Sequence, residues 1–273
     1  MKKEIAIKII TSCARDYHRY LENQNLLFLF GTLQNTGFFE AAFLPRHFLH
    51  LTGVEVANGR FTGSSDFYEK ALKGQLSPYD FSLSVTGTTE MKLLVLPQLV
   101  RIYHTAKMVG DYSFTKSALY TERLAGNVTA CLGFLREDEY YVPNTALKED
   151  IRDVSVKPQQ RVLAILRKPV TQPIYREVCY RAKGLTIEGI HLPNDIQPKV
   201  SLLECSTPVA SASQEQNAAA PACLSIKEIM EAAQTEAHRR NSTRAAITLS
   251  SRSTSTKDEV ASCWGRKAPK ENT

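Results

Sequence analysis

The sequence predicts an α+β fold in which N-terminal helices pack on an antiparallel sheet, with a disordered or partly helical C-terminal tail. Three observations carry that reading. Segments of helical periodicity fall early in the chain, and short runs rich in β-branched and aromatic residues cluster after Met108. The supply of residues to bury then stops abruptly near Cys205. Helices first and strands later disfavour an alternating parallel α/β arrangement, and no internal repeat of fixed period is visible.

Each element follows from its local pattern. Residues 3–22 place Ile5, Ile9, Ile10, Cys13, Tyr17 and Leu21 on one helical face. Leu26 to Leu33 is a short apolar run suited to a buried strand, QNTG is a turn signal, and Phe38 to Leu44 reads as its hairpin partner. Ser64 to Gly74 is a short capped helix that Gly74 ends. Thr88 to Met108 is helical, with a kink or break predicted at Pro97. Strands are expected in DYSFT, SALYTE, NVTACLGFL, QRVLAIL and IYREVCYRAK. Between them, Tyr140 to Asp153 reads as two tyrosines, a Pro-Asn-Thr turn with Asn144 or Thr145 as N-cap, and a short helix.

Four segments result. Residues 1–205 form the folded domain, and 206–224 are a flexible linker with almost nothing to bury. Residues 225–240 form an amphipathic helix with Ser225 and Glu228 in capping-box spacing, expected to bind a protein partner because so short a helix is not stable alone. Residues 241–273 are expected to be disordered.

Composition excludes some classes. The chain has 273 residues, 43% of them hydrophobic and 23% charged, which is ordinary for a globular protein. No apolar run approaches the roughly 18 residues that a membrane span needs. Glu4, Lys8, Arg15 and Asp16 interrupt any signal-like apolar stretch at the N-terminus, so no membrane partner and a cytoplasmic location are expected. Six cysteines without a CxxC argue against both a zinc site and a disulfide framework. The net charge of +6 is compatible with a phosphate-bearing partner. No Walker loop, GxSxG elbow or dinucleotide GxGxxG is present, and no cofactor is expected.

The chemistry concentrates in FLPRHFLHLTG, residues 43–53. It places Arg46, His47, His50 and Thr52 within an apolar and aromatic setting, in a chain with only six histidines. Histidine titrates near neutrality and serves as acid or base, Arg supplies charge for an anionic transition state, and Thr donates a hydrogen bond. The bland alternative makes His50 a structural histidine satisfied by backbone. The same HxxH offers two metal ligands, but Phe48 and Leu49 stand where a metalloprotease glutamate would, so no metal is assigned. Lys92 on the third helix, Tyr141 as a ring for stacking unpaired bases, and Asn144 complete the candidate substrate contacts, each with an ordinary solvated or packing role as its alternative.

The blocks LLFLFGTL, EAAF, FLHLTGV, FYEKAL, TTEMKLLVL, GNVTACLGF and YYVPNTALKEDIRDV, spanning roughly residues 3–190, resemble a phage-linked subfamily of the barnase–EndoU–colicin–RelE-like (BECR) nuclease group. Residues 48–53, FLHLTG, are the most specific of them. The resemblance implies a compact α+β fold with N-terminal helices and an antiparallel sheet of about four strands. It also implies a metal-independent ribonuclease that cleaves RNA by 2′-hydroxyl attack, acting as a toxin or effector of a phage or mobile element, with an immunity or antitoxin protein as a possible partner. His50 and Thr52 carry over as acid–base and phosphate-contacting residues, and Lys92 resembles a basic residue of the family. His47 lies outside the motif. The alternative is a non-catalytic RNA- or protein-binding module of the same fold.

Overall fold

The computed structural model describes residues 1–114 and 119–201; the expected linker, C-terminal helix and tail lie outside the described residues. Helix α1 (Lys3–Tyr20) buries Ala6, Ile9, Ile10, Cys13, Ala14 and Tyr17. Glu4 in its first turn and His18 and Arg19 in its last complement the helix dipole. The Leu21 and Glu22 amides close on the Tyr17 carbonyl, and Asn23 at φ 55° swings the chain into the sheet.

Strands β1 (Gln24–Gly31) and β2 (Thr36–Phe43) form the expected hairpin. β1 is buried on both faces: Leu26 and Phe28 point toward the helices, while Leu27 and Leu29 belong to a second apolar cluster. That explains its unbroken apolar run in place of alternation. Gly31, at φ +107°, turns the hairpin where an added Cβ would lie 2.6 Å from the Asn35 carbonyl oxygen.

Helix α2 (Phe48–Thr52), the two-stranded ribbon β3 (Glu55–Val56) and β4 (Phe81–Ser82), and helices α3 (Ser64–Leu72) and α4 (Thr88–Leu99) come next. Then follow α5 (Ile102–Thr105), β5 (Met108–Asp111), β6 (Arg123–Gly126), β7 (Cys131–Glu137), β8 (Tyr140–Leu147), α6 (Ile151–Val154), β9 (Gln160–Pro169) and β10 (Glu177–Arg181). The main sheet runs β1-β2-β8-β7-β6-β5-β9-β10, and a further pairing of β1 with β9 closes it on itself. All its pairings are antiparallel except β2 with β8. Helices α1 to α4 fill the inner face around Phe28, Phe39, Phe43 and Phe134.

The α+β class holds, and four details differ from expectation. The main sheet has eight strands, not about four, because the late segments and the early hairpin join one wall. The Thr88–Met108 segment breaks at Val100 and Arg101, three residues beyond Pro97, and Met108 already begins β5. Pro97 sits in the last turn of α4, where its missing amide leaves the Leu93 carbonyl without its helical donor and weakens the helix shortly before it ends. The expected turn at Pro143-Asn144-Thr145 lies inside β8; Pro143 faces Phe134 where the β7–β8 register shifts, a place that tolerates proline in a sheet. Neither Asn144 nor Thr145 caps the next helix, since Asp150 does so by accepting the Arg152 amide. Of the described residues of DYSFT and SALYTE, only Asp111 lies in a strand, and β6 begins just after them at Arg123.

Residues 185–200, for which the sequence suggested no element, strap the outer face. Ile187, Ile190 and Ile196 pack on Leu27, Leu29, Leu163 and Leu166. The buried Glu40 carboxylate accepts from the Tyr175 hydroxyl at 2.9 Å and from Lys199 Nζ at 2.7 Å, tying the strap to β2. Glu40→Ala leaves the Tyr175 hydroxyl unpartnered and removes the acceptor of Lys199. The expected loss is on the order of 2–3 kcal/mol in urea unfolding. Lys199→Met leaves the buried Glu40 carboxylate without its ion-pair partner and should cost a comparable amount; an unchanged stability in Lys199→Met would contradict this account.

Candidate functional site

The site grows from one short helix. The Tyr17 hydroxyl donates to the Leu44 carbonyl at 2.9 Å, fixing the point where the chain leaves β2, and a single 3-10 turn over Pro45–His47 feeds α2. Phe48 anchors α2 in the core, with ring contacts to Tyr17 at 5.3 Å and Tyr68 at 5.2 Å. Phe48, Leu51 and Thr52 face inward, so helical geometry turns Leu49 and His50 outward. Gly53, left-handed at φ 67°, ends the helix.

The start of α4 docks against this end. Thr89 Oγ1 donates to the Gly53 carbonyl at 2.5 Å and accepts the Ser84 amide at 2.9 Å. One turn further on, Lys92 Nζ donates to the His50 carbonyl at 3.0 Å. A Cβ on Gly53 would lie 2.6 Å from Lys92 Cδ, so the lysine stem occupies the space a side chain would need. Hydroxyls run along the loop before α4, from Ser84 to Thr86 at 2.7 Å and from Thr86 to Thr88 at 2.8 Å. Gly87 caps α4 without a side chain, so the positive end of the helix dipole opens beside Thr88.

A cleft of about 540 Å³ lies between these pieces, lined by His50, Glu55, Ser84, Thr88, Lys92 and Asn144 over an apolar floor of Leu49, Val54 and Val56. Burial pushes the Lys92 ammonium below its ordinary range. Asn144 is held rigidly: its Oδ1 accepts from the Thr121 hydroxyl at 3.1 Å and its Nδ2 donates to the Tyr120 carbonyl at 2.6 Å.

The structure thus brings His50, Lys92 and Asn144 together and places the other four candidates elsewhere. Thr52 is fully buried, its hydroxyl donating to the Leu49 carbonyl at 2.7 Å and accepting the Val54 amide at 3.3 Å, so it shapes the turn under His50 and does not face the cleft. His47 is buried with Nδ1 accepting the Leu44 amide at 3.2 Å. Arg46 reaches away to Glu137 at 2.8 Å. The Tyr141 ring packs edge-on against Phe39 and under Arg123, 5.3 Å from the guanidinium carbon. Sequence reading missed Glu55, Ser84 and Thr88. The hydroxyl-rich SVTGTT run before an apolar helix was the available signal for the latter two. Among the described residues no three His, Cys, Asp or Glu side chains are grouped as a metal site would require. Among the same residues no helix is long and apolar enough to cross a membrane.

A mostly antiparallel wall closed on itself and filled by helices, with a polar cleft at the meeting of two helix ends, defines a small α+β protein. Residues 9–184 match the model of the phage-Barnase-EndoU-ColicinE5/D-RelE like nuclease4 family, and the chain belongs to that family. Membership supports nuclease activity, the cleavage of a nucleic acid. No curated protein and no solved structure shows significant similarity to the chain.

His47 makes a pH dependence measurable. Burial, with help from the Arg46 and His50 charges, pushes its pKa down to about 4, against an ordinary value of 6.5. The unfolded chain therefore binds more protons there between these two values, and folding stability falls as pH drops from about 6.5 to 4. The loss is on the order of 3 kcal/mol. His47→Gln, which keeps an acceptor near the Leu44 amide, should flatten that part of the stability curve in denaturant titrations across this pH range.

Proposed function

We propose that the chain is a metal-independent endoribonuclease, a cytoplasmic toxin or effector of a phage or mobile element, whose catalytic groups are His50 and Glu55 with Lys92 as the charge-bearing partner. The observation that carries the reading is that an exposed histidine, a carboxylate and a partly desolvated lysine line one cleft. Cleavage of RNA by its own 2′-hydroxyl needs a base, an acid and a charge-bearing donor, roles this set can fill. A base removes the 2′-proton, the 2′-oxygen bonds to phosphorus, the bond to the 5′-oxygen breaks, and an acid protonates that oxygen. The products are a 2′,3′-cyclic phosphate and a 5′-hydroxyl.

Glu55, as a carboxylate, is assigned the base and His50, as an imidazolium, the acid. Lys92 neutralises the charge that builds on the phosphorane oxygens, and the Ser84 and Thr88 hydroxyls at the positive end of α4 add donors. Asn144 contacts the neighbouring nucleotide. Thr52 acts through the Leu49 carbonyl to hold the turn that presents His50, a positioning role. Arg46, His47 and Tyr141 are left outside the reacting centre. An immunity or antitoxin protein would act by covering this cleft.

Purified protein should cleave single-stranded RNA in EDTA and leave 2′,3′-cyclic ends. His50→Ala should lower kcat by roughly 10²–10⁴-fold with an unchanged circular dichroism spectrum. Glu55→Gln should lower kcat by a similar factor with the fold intact by circular dichroism. RNA left intact at high protein concentration while still bound would overturn the catalytic reading in favour of a binding module.

A further inference from the structure

The cleft uses only the N-terminal end of α4. At the other end α5, the last turn of α1, β9 and β10 meet, and the surface they share is a strip of rings and cations. The Tyr20 and Tyr103 ring centroids lie 5.3 Å apart with planes 33° from parallel, and Tyr103 and His104 stack at 4.6 Å and 27°. The Arg19 guanidinium sits over Tyr20 at 5.2 Å, and the Lys107 ammonium over Tyr180 at 3.8 Å. All three tyrosines are half-buried, packing against the core while part of each ring stays in solvent.

Charge on this strip is uncompensated. Asp16 is taken by Arg101 at 3.0 Å and Glu177 by Arg167 at 2.5 Å. Arg19 and Lys107 are both exposed, and neither has a carboxylate partner among the described residues. The positive field also reaches His104, where burial together with Lys107 and Arg101 pushes the imidazole below its ordinary range. Planar rings for bases, flanked by unmatched cations for phosphates, are the two things a single-stranded nucleic acid needs from a protein surface. Arg19 and Lys107 are held in place by the rings of Tyr20 and Tyr180, and Lys107 Nζ also donates to the His104 carbonyl at 3.1 Å, so what the strip offers a phosphate is positioned charge that no carboxylate neutralises.

We propose that this strip is a second RNA-binding surface, which holds the single strand beyond the cleft by stacking bases on Tyr20 and His104, the two ends of the row that Tyr103 joins, and pairing phosphates with Arg19 and Lys107. The proposal rests on RNA being the substrate of the cleft. The 12 residues of α4 separate the two surfaces, a span of about 18 Å at the helical rise. The strip therefore acts on nucleotides well away from the scissile bond and affects long substrates only.

The test uses the full chain and a labelled single-stranded RNA oligonucleotide, read by fluorescence anisotropy in EDTA, with His50→Ala present in every binding sample to prevent cleavage. The double variant Arg19→Glu, Lys107→Glu changes two exposed side chains, and circular dichroism checks its fold. Its affinity should fall roughly tenfold or more, and the log–log salt slope should drop by about two, one for each cation lost. On an otherwise native cleft, the double variant should raise KM for long RNA and leave cleavage of a dinucleotide unchanged. Affinity and salt slope equal to those of the parent would overturn the proposal. Loss of affinity in a chain that cleaves nothing would support the strip and sink the catalytic reading; cleavage with unaltered affinity would do the reverse.

Discussion

Strand β1 is dry on both faces, so neither side of the wall around it can be left to solvent. Leu26 and Phe28 demand a filling of helices on the inside, and Leu27 and Leu29 demand a cover on the outside. The first demand brings α1, and with it the Tyr17 hydroxyl that fixes Leu44 and sets the entry to α2. The second is met by the strap around Ile187, Ile190 and Ile196, pinned by Glu40, Tyr175 and Lys199. Pairing with β2 on one edge and β9 on the other leaves the strand no open side in the plane of the sheet either. Satisfying one strand in every direction thus accounts for the closed wall and for the position of the helix that carries His50.

Legibility in the sequence followed the range of the signal. The early elements were readable because their information is local: a 3.6-residue period in α1, an apolar run with a turn for β1 and β2, and Gly74 closing α3. Motif resemblance carried the family. Failures came where tertiary context overrode local preference. Pro143 looks like a turn, yet a register shift opposite Phe134 accommodates it in β8. The strap gave no periodic pattern because its three isoleucines answer to the outer face of the sheet, which no local window contains.

The candidate site shows the same division. Lys92 was nameable as a cation but not as a partner of His50, since the contact joins residues 42 positions apart. Thr52 belongs to the motif, and the sequence does not reveal that its hydroxyl is turned into the backbone beneath the histidine. A helix of five residues has one inward and one outward side. Once Phe48 and Leu51 take the inward side, Thr52 must join them and His50 must leave. Spacing alone held that answer, but only after the anchoring residue was known.

The close approach of Gly53 and Lys92 has a consequence for how this chain can vary. The missing Cβ and the lysine stem share one volume, and the left-handed backbone adds its own strain to any substitution. A side chain at position 53 needs the Lys92 stem to swing aside or to be shortened, and either change draws the ammonium off the His50 carbonyl. Substitutions at the two positions are therefore coupled. Selection for folding alone can shorten residue 92, whereas selection for an ammonium held at His50 favours glycine at 53.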